Sequence, residues 1–154
     1  MADTQGETAL DLYCGVGLFT LPLARRFFRV IGVESDGPAA NYARINLANA
    51  DLNNASISTA RVSEWLKHSA LERGMTDLVL LDPPRTGAEP GVIAGILSLE
   101  PKLISYVSCD PATLARDLKD LLAGGYHLVS IIAFDMFPQT HHVETVVHLG
   151  RREG

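Results

Sequence analysis

Only two cysteines, Cys14 and Cys109, occur in the 154 residues. Two thiols make no obvious disulfide framework, and they suit a reducing cytosol. The five histidines and two cysteines show no metal-ligand spacing, and the neighbours His141 and His142 would point to opposite faces of a strand. No apolar run approaches the length of a membrane span. Met-Ala-Asp-Thr-Gln-Gly has no apolar stretch behind it, so it does not read as a signal peptide. Basic charge is also short: 13 Lys and Arg stand against 18 Asp and Glu, for a net charge of −5. That argues against a broad phosphate-gripping surface and leaves room for a local patch at Arg25, Arg26 and Arg29. Repeats, low-complexity segments and internal linkers are missing too. What is present, 47% hydrophobic and 20% charged residues, is the balance of one globular domain with one sizeable core.

Short Val-, Ile- and Leu-rich runs alternate with helical segments along the chain. The runs Ala9–Tyr13, Val30–Glu34, Ala55–Ala60, Asp77–Leu81, Leu103–Ser108, His127–Phe134 and Val143–Leu149 read as strands. Helices are expected over Leu18–Arg26, Gly37–Ala50, Ser63–Arg73, Gly91–Leu97 and Asp110–Leu122. Such alternation implies a mainly parallel sheet covered on both faces. The gap between Phe134 and Val143 is too short for a crossover helix, so the last strand should run antiparallel to the one before it. Six parallel strands and a reversed seventh form the α/β, Rossmann-like layout of class I methyltransferases that use S-adenosylmethionine (SAM). Flavodoxin-like and nucleotide-binding folds share much of that pattern.

The stretch LDLYCGVGLFT sets Asp11 at a strand end, then Gly15 and Gly17, then a helix. The glycines permit a tight turn and close backbone approach to a ligand. The third glycine of a dinucleotide fingerprint is absent, since Leu18-Phe19-Thr20 follows. Glu34 ends the second strand at about the interval expected of a ribose-binding acid. Together these features point to an adenosine-containing ligand, and SAM fits better than NAD. Asp11 could hold the ligand's amino end or order the loop; Tyr13 could touch the ligand or pack. Asp82 ends the fourth strand in LVLLDPPRTG, where a carboxylate on an apolar strand needs a partner or a job. Arg85 is one candidate partner; a place between cofactor and substrate is the other reading.

Ligands of open α/β sheets bind at the C-terminal edge of the parallel strands. Asp11, Glu34, Asp82 and Cys109 each close a parallel strand, and an antiparallel last strand starts on that same edge with Glu144. Cys109 lies just before a helix opened by Asp110-Pro111. The helix dipole there favours a thiolate, while the Asp110 charge opposes it. Help matters, because an ordinary Cys with a pKa of about 8.5 is only a few per cent thiolate at pH 7.

The segments LDLYCGVGLFTLPLA, DPPRTGA, YVSCDPATLARDL and FDMFPQTHHVETVVHL together resemble the RNA uracil-5-methyltransferase family, which acts on tRNA and 23S ribosomal RNA. The resemblance runs in order over nearly the whole chain. It implies a catalytic domain without the RNA-binding and central domains of the family's full-length members. It also implies SAM as cofactor, RNA as substrate, Cys109 as nucleophile and Glu144 as base. Asp82 would help build the pocket for cofactor and target base, beside Asp11, Tyr13, Gly15, Gly17 and Glu34. Cys14 becomes a structural thiol. His142 would then orient the base, and Phe137 and Pro138 shape the pocket, or all three simply pack. The chain departs from the family's usual residues at Leu18, Asp110 and Arg61. Two other readings stay open: a SAM- or RNA-binding fragment without turnover, and a nitrogen-directed methyltransferase that uses the Asp-Pro-Pro-Arg loop and needs no Cys109.

Overall fold

A computed structural model of the chain describes residues 4–134 and 143–152. In chain order the elements are β1 (Gly6–Leu12), α1 (Thr20–Ala24), β2 (Phe27–Glu34), α2 (Gly37–Asn49), β3 (Ala55–Thr59) and α3 (Val62–His68). Then come β4 (Leu78–Leu81), α4 (Val92–Leu99), β5 (Leu103–Ser108), α5 (Pro111–Ala123), β6 (Tyr126–Phe134) and β7 (Glu144–Arg151). The seven strands form one sheet in the order β3-β2-β1-β4-β5-β7-β6. Strands β3 to β5 pair in parallel, and β7 runs antiparallel to both β5 and β6. This is the class I methyltransferase arrangement expected from the sequence. The reversed strand does more than follow β6: it inserts between β6 and β5.

The two faces of the sheet bury different residues because side chains alternate along each strand. Leu10, Leu12, Val79, Leu81, Ile104 and Tyr106 join Val62, Leu66, Val92, Ile96, Leu114 and Leu121 of α3, α4 and α5 in the larger core. Ala9, Val30, Leu78 and Leu80 pack with Leu23, Ala24 and Phe27 in a smaller cluster with α1. Strand β4 is buried at every position, as a central parallel strand should be. The outer strand β6 instead exposes Leu128, Val129, Ile131, Ile132 and Phe134.

Several boundaries differ from the sequence expectation. Helix α1 is only five residues long, because β2 begins at Phe27, whose side chain is buried in the smaller core. Helix α3 stops at His68 rather than Arg73. Ser69 is extended, and its hydroxyl accepts the Leu71 N–H at 3.2 Å, a local bond that competes with the helix. Arg61 lies beyond β3 and is the N-cap of α3. Residues His141, His142, Phe137 and Pro138 fall outside the described residues.

The contrast between β4 and β6 predicts opposite mutational costs. Leu81→Ala should destabilise the domain by about 2–5 kcal/mol, as for other fully buried leucines. Ile132→Ser should cost no more than about 0.5 kcal/mol. Urea unfolding midpoints of the two variants check this, and equal losses would contradict the exposure of β6.

Candidate active site

The turn after β1 is built by left-handed residues. Tyr13, Gly15 and Gly17 have φ of 64°, 53° and 92°. Only glycine takes such values without strain, so Tyr13 is the costly member. Its hydroxyl accepts the Glu89 N–H at 3.1 Å, which ties the turn to the segment after β4. The turn is further held by Cys14 N–H to the Val33 carbonyl at 3.0 Å, Gly17 N–H to the Cys14 carbonyl at 2.8 Å, and Asn46 Nδ2 to the Val16 carbonyl at 3.0 Å. Glu34 closes it from β2. Its Oε2 accepts the Gly15 N–H at 2.9 Å and its Oε1 the Asp36 N–H at 2.7 Å.

Asp11 is fully buried under this turn. Its Oδ2 accepts the Thr20 hydroxyl at 2.5 Å, linking β1 to the first residue of α1. Its Oδ1 has no hydrogen-bond partner among the described residues. Burial raises the Asp11 carboxyl to about 7, against the Thr20 hydrogen bond and with a further push from Asp82 and Glu34. Burial likewise lifts Asp82 to about 6, and the Glu144 charge adds to it. Arg85, the candidate partner in one of the two readings for Asp82, places charge on Asp110.

Asp11, Glu34, Asp82, Cys109 and Glu144 therefore stand along one edge. Glu34 is the last residue of β2, Asp82 follows β4, Cys109 follows β5, and Glu144 opens β7. Asp11 sits one residue inside the end of β1. The antiparallel ladder ends with Ser108 opposite Thr145. Cys109 and Glu144 are the next residues beyond that pair in their two segments.

The two thiols differ sharply. Cys14 is buried, and burial with the Asp11 and Glu34 charges pushes it up to about 12, so it is no nucleophile at neutral pH. Cys109 is only partly buried. Beside it, the Asp110 side chain turns onto the start of α5, where its Oδ1 accepts the Ala112 and Thr113 N–H groups at 3.0 and 2.9 Å. These bonds, that to Thr113 first, hold its carboxyl below the usual range. Asp110 thus caps the helix, as its place before Pro111 led us to expect.

One feature escaped the motif reading. Asp117 is buried in α5 and gathers the Tyr106 hydroxyl at 2.6 Å, Arg116 Nε at 2.8 Å and the Ala88 N–H at 2.9 Å. Its signal was present: with Leu114 and Leu121 it occupies the buried stripe of an amphipathic helix, where an acid is out of place.

Comparison with known proteins adds the decisive observation. The family profile described as tRNA (Uracil-5-)-methyltransferase matches residues 1–152. The chain belongs to the RNA uracil-5-methyltransferase family. It is 44% identical over 146 residues to the 23S rRNA (uracil(1939)-C(5))-methyltransferase of Klebsiella pneumoniae, covering 95% of this chain and 33% of that protein. It is 46% identical over 148 residues to an uncharacterized RNA methyltransferase of Thermotoga maritima, covering 93% and 32%. The chain thus spans about a third of the length of these family members. Among solved structures, it superposes with a TM-score of 0.81 on the Pyrococcus abyssi tRNA (uracil-54, C5)-methyltransferase in complex with S-adenosyl-L-homocysteine. That pair shares 38% identity over 96% of this chain and 35% of the other. The YcgJ protein of Bacillus, with a TM-score of 0.77 at 11% identity over 99% of this chain and 95% of that one, shares the fold alone. Among the described residues of this family member no group of His, Cys, Asp and Glu could hold a metal ion, and no helix is long and apolar enough to cross a membrane.

The raised carboxyls set a pH dependence. An acid whose folded pKa exceeds its unfolded value of 3.8 binds its proton more tightly when folded. The stability linked to Asp11 and Asp82 is therefore full below 3.8 and lost as pH rises through about 6 and about 7. Asp11→Asn should remove much of that loss and gain roughly 1 kcal/mol or more at pH 8 relative to pH 5. Urea midpoints of parent and variant at both pH values measure the difference; parallel curves would contradict it.

Proposed function

We propose that this chain carries the catalytic machinery of a SAM-dependent enzyme that methylates carbon 5 of a uridine in RNA, through a covalent bond between Cys109 and the uracil ring. The observation that supports it most is the β5–β7 ladder, which runs toward Cys109 on one side and Glu144 on the other. It does so at the edge that also carries the Gly15–Gly17 turn.

The residues present fit the cofactor. The buried Asp11 Oδ1 has no partner among the described residues. A Cβ placed at Gly15 would meet nothing within 4 Å, so the backbone there is open to a ligand. The Glu34 oxygens that hold the loop keep lone pairs for ribose hydroxyls. Asp11, Glu34 and the Tyr13–Gly17 turn would hold SAM, with Asp82 between it and the target base. When bound, SAM supplies an electrophilic methyl group on a positively charged sulfur. A site whose carboxylates are crowded and desolvated favours a cation, because added positive charge stabilises their ionised forms.

Uracil carbon 5 is a weak nucleophile until carbon 6 is attacked. Cys109 Sγ would add to carbon 6, and the displaced electron pair moves to the carbon 4 oxygen. The resulting enolate makes carbon 5 nucleophilic, and carbon 5 takes up the methyl group. Glu144 then removes the carbon 5 proton. The freed electron pair restores the ring double bond and expels Cys109 as a thiolate. Nucleophile and base thus act in turn on neighbouring ring atoms, which calls for placement on one edge.

Two substitutions separate the steps. Cys109→Ala should abolish both methylation and the covalent complex with 5-fluorouridine RNA, read by denaturing gel; a surviving complex would remove Cys109 from the mechanism. Glu144→Gln should still form the adduct but stall its breakdown, so that complex accumulates with unmodified RNA. Normal turnover in that variant would reassign the base.

A further inference from the structure

We infer that Asp117 is a positioning residue that sets the segment carrying Asp82 against the strand end carrying Cys109. This rests on the proposed function for its catalytic meaning. Its geometry stands on the following contacts.

Asp82 to Gly91 lies between β4 and α4 without regular structure. Such a segment has no ladder to fix it. Helix α5 supplies the missing bonds. Thr113 Oγ1 donates to the Arg85 carbonyl at 3.2 Å. Arg116 Nη2 donates to the Thr86 carbonyl at 3.2 Å and the Ala88 carbonyl at 3.4 Å. Asp117 Oδ2 accepts the Ala88 N–H at 2.9 Å, so three side chains from about one and a half turns of one helix bond Arg85, Thr86 and Ala88 of the segment. The fit is close: a Cβ at Gly87 would lie 2.5 Å from Arg116 Nη2 and 2.9 Å from Asp117 Oδ2.

Asp117 is the hub because it also holds the other side. Tyr106, three residues before Cys109 on β5, donates its hydroxyl to the same Oδ2 at 2.6 Å. Helix α5 itself begins two residues after Cys109. One buried carboxylate therefore bonds the loop that follows Asp82, the strand that ends at Cys109 and the helix that follows it. Arg116 Nε, at 2.8 Å from Oδ1, balances the charge. Burial opposes ionisation of Asp117, but the bonds from Arg116, Tyr106 and Ala88 outweigh it and hold the carboxyl below its ordinary value. It stays an acceptor at working pH.

The test reads Asp82 directly. The charged groups bearing on Asp82 are Glu144 on β7 and Asp11 on β1. Loosening the segment should admit water and draw Asp82 away from Glu144, so its titration should fall from about 6 toward the ordinary carboxylate range. The variants are Asp117→Asn, which keeps shape but loses the charge and two acceptor sites, and Tyr106→Phe, which removes one donor and keeps the packing. Carboxyl carbon NMR of the parent and both variants follows Asp82 without cofactor or RNA. Both should show the fall, smaller in Tyr106→Phe. With substrate RNA, kcat for Asp117→Asn should fall on the order of 100-fold, the scale of an ångström-sized misplacement. KM for SAM should change less than kcat, since the bonds of Glu34 to the Gly15 and Asp36 N–H groups lie outside the segment. Folded variants whose Asp82 still titrates as in the parent overturn the proposal, as does a shifted Asp82 with unchanged kcat. If Asp117→Asn does not fold, Tyr106→Phe alone decides in the same way. Failure of the methylation reading would show separately, as no methyl transfer to substrate RNA by the parent, while the Asp82 titration is read without RNA or cofactor.

Discussion

Strand β7, reversed between β5 and β6, is the constraint on which the site depends. Parallel strands can only deliver their C-terminal ends to the ligand edge, and each end there is followed by a loop. An antiparallel strand in the same sheet delivers its beginning. Glu144 reaches the edge that way, and its register against β5 is pinned because a one-residue slip would turn Val147 and Leu149 out of the core. The placement of Glu144 beside the end of β5 is thus secured by apolar burial several residues away.

A second constraint follows from crowding. Asp11, Glu34, Asp82 and Glu144 bring like charges to a partly dehydrated edge, which raises Asp11 and Asp82. Folding alone does not favour such an arrangement. It is tolerable because Thr20 and the loop N–H groups absorb part of the charge, and it suits a cationic partner. The same edge keeps its two thiols apart in character. Cys14 is disabled by burial beside two carboxylates, while Cys109 sits at a bend with partial access to solvent.

Much of this was legible in the chain. The strand–helix alternation, the two glycines, the acid ending β2 and the thiol ending β5 are local patterns, and the sheet rule joins them to one edge without coordinates. The short connection before Val143 was enough to reverse the last strand. Helix ends were less legible, because Ser69 and Phe27 chose bonds and burial that periodicity does not register. The capping role of Asp110 was legible from Asp110-Pro111 at the head of a helix, and its side chain does turn onto the Ala112 and Thr113 N–H groups.

The sequence by itself determined the fold class, the family and the placement of five candidate residues on one edge of the sheet, because each is written in patterns of period two, period 3.6 or fixed motif spacing. Only the tertiary structure decided what holds that edge in register. The insertion of β7 between β5 and β6 is a pairing between segments distant in sequence. The grip of Thr113, Arg116 and Asp117 on Arg85 to Ala88 spans some thirty residues. An acid within a helix's apolar stripe announces only that a partner must exist. Which backbone N–H and which tyrosine answer it depends on how two distant elements meet, and no local pattern encodes that meeting.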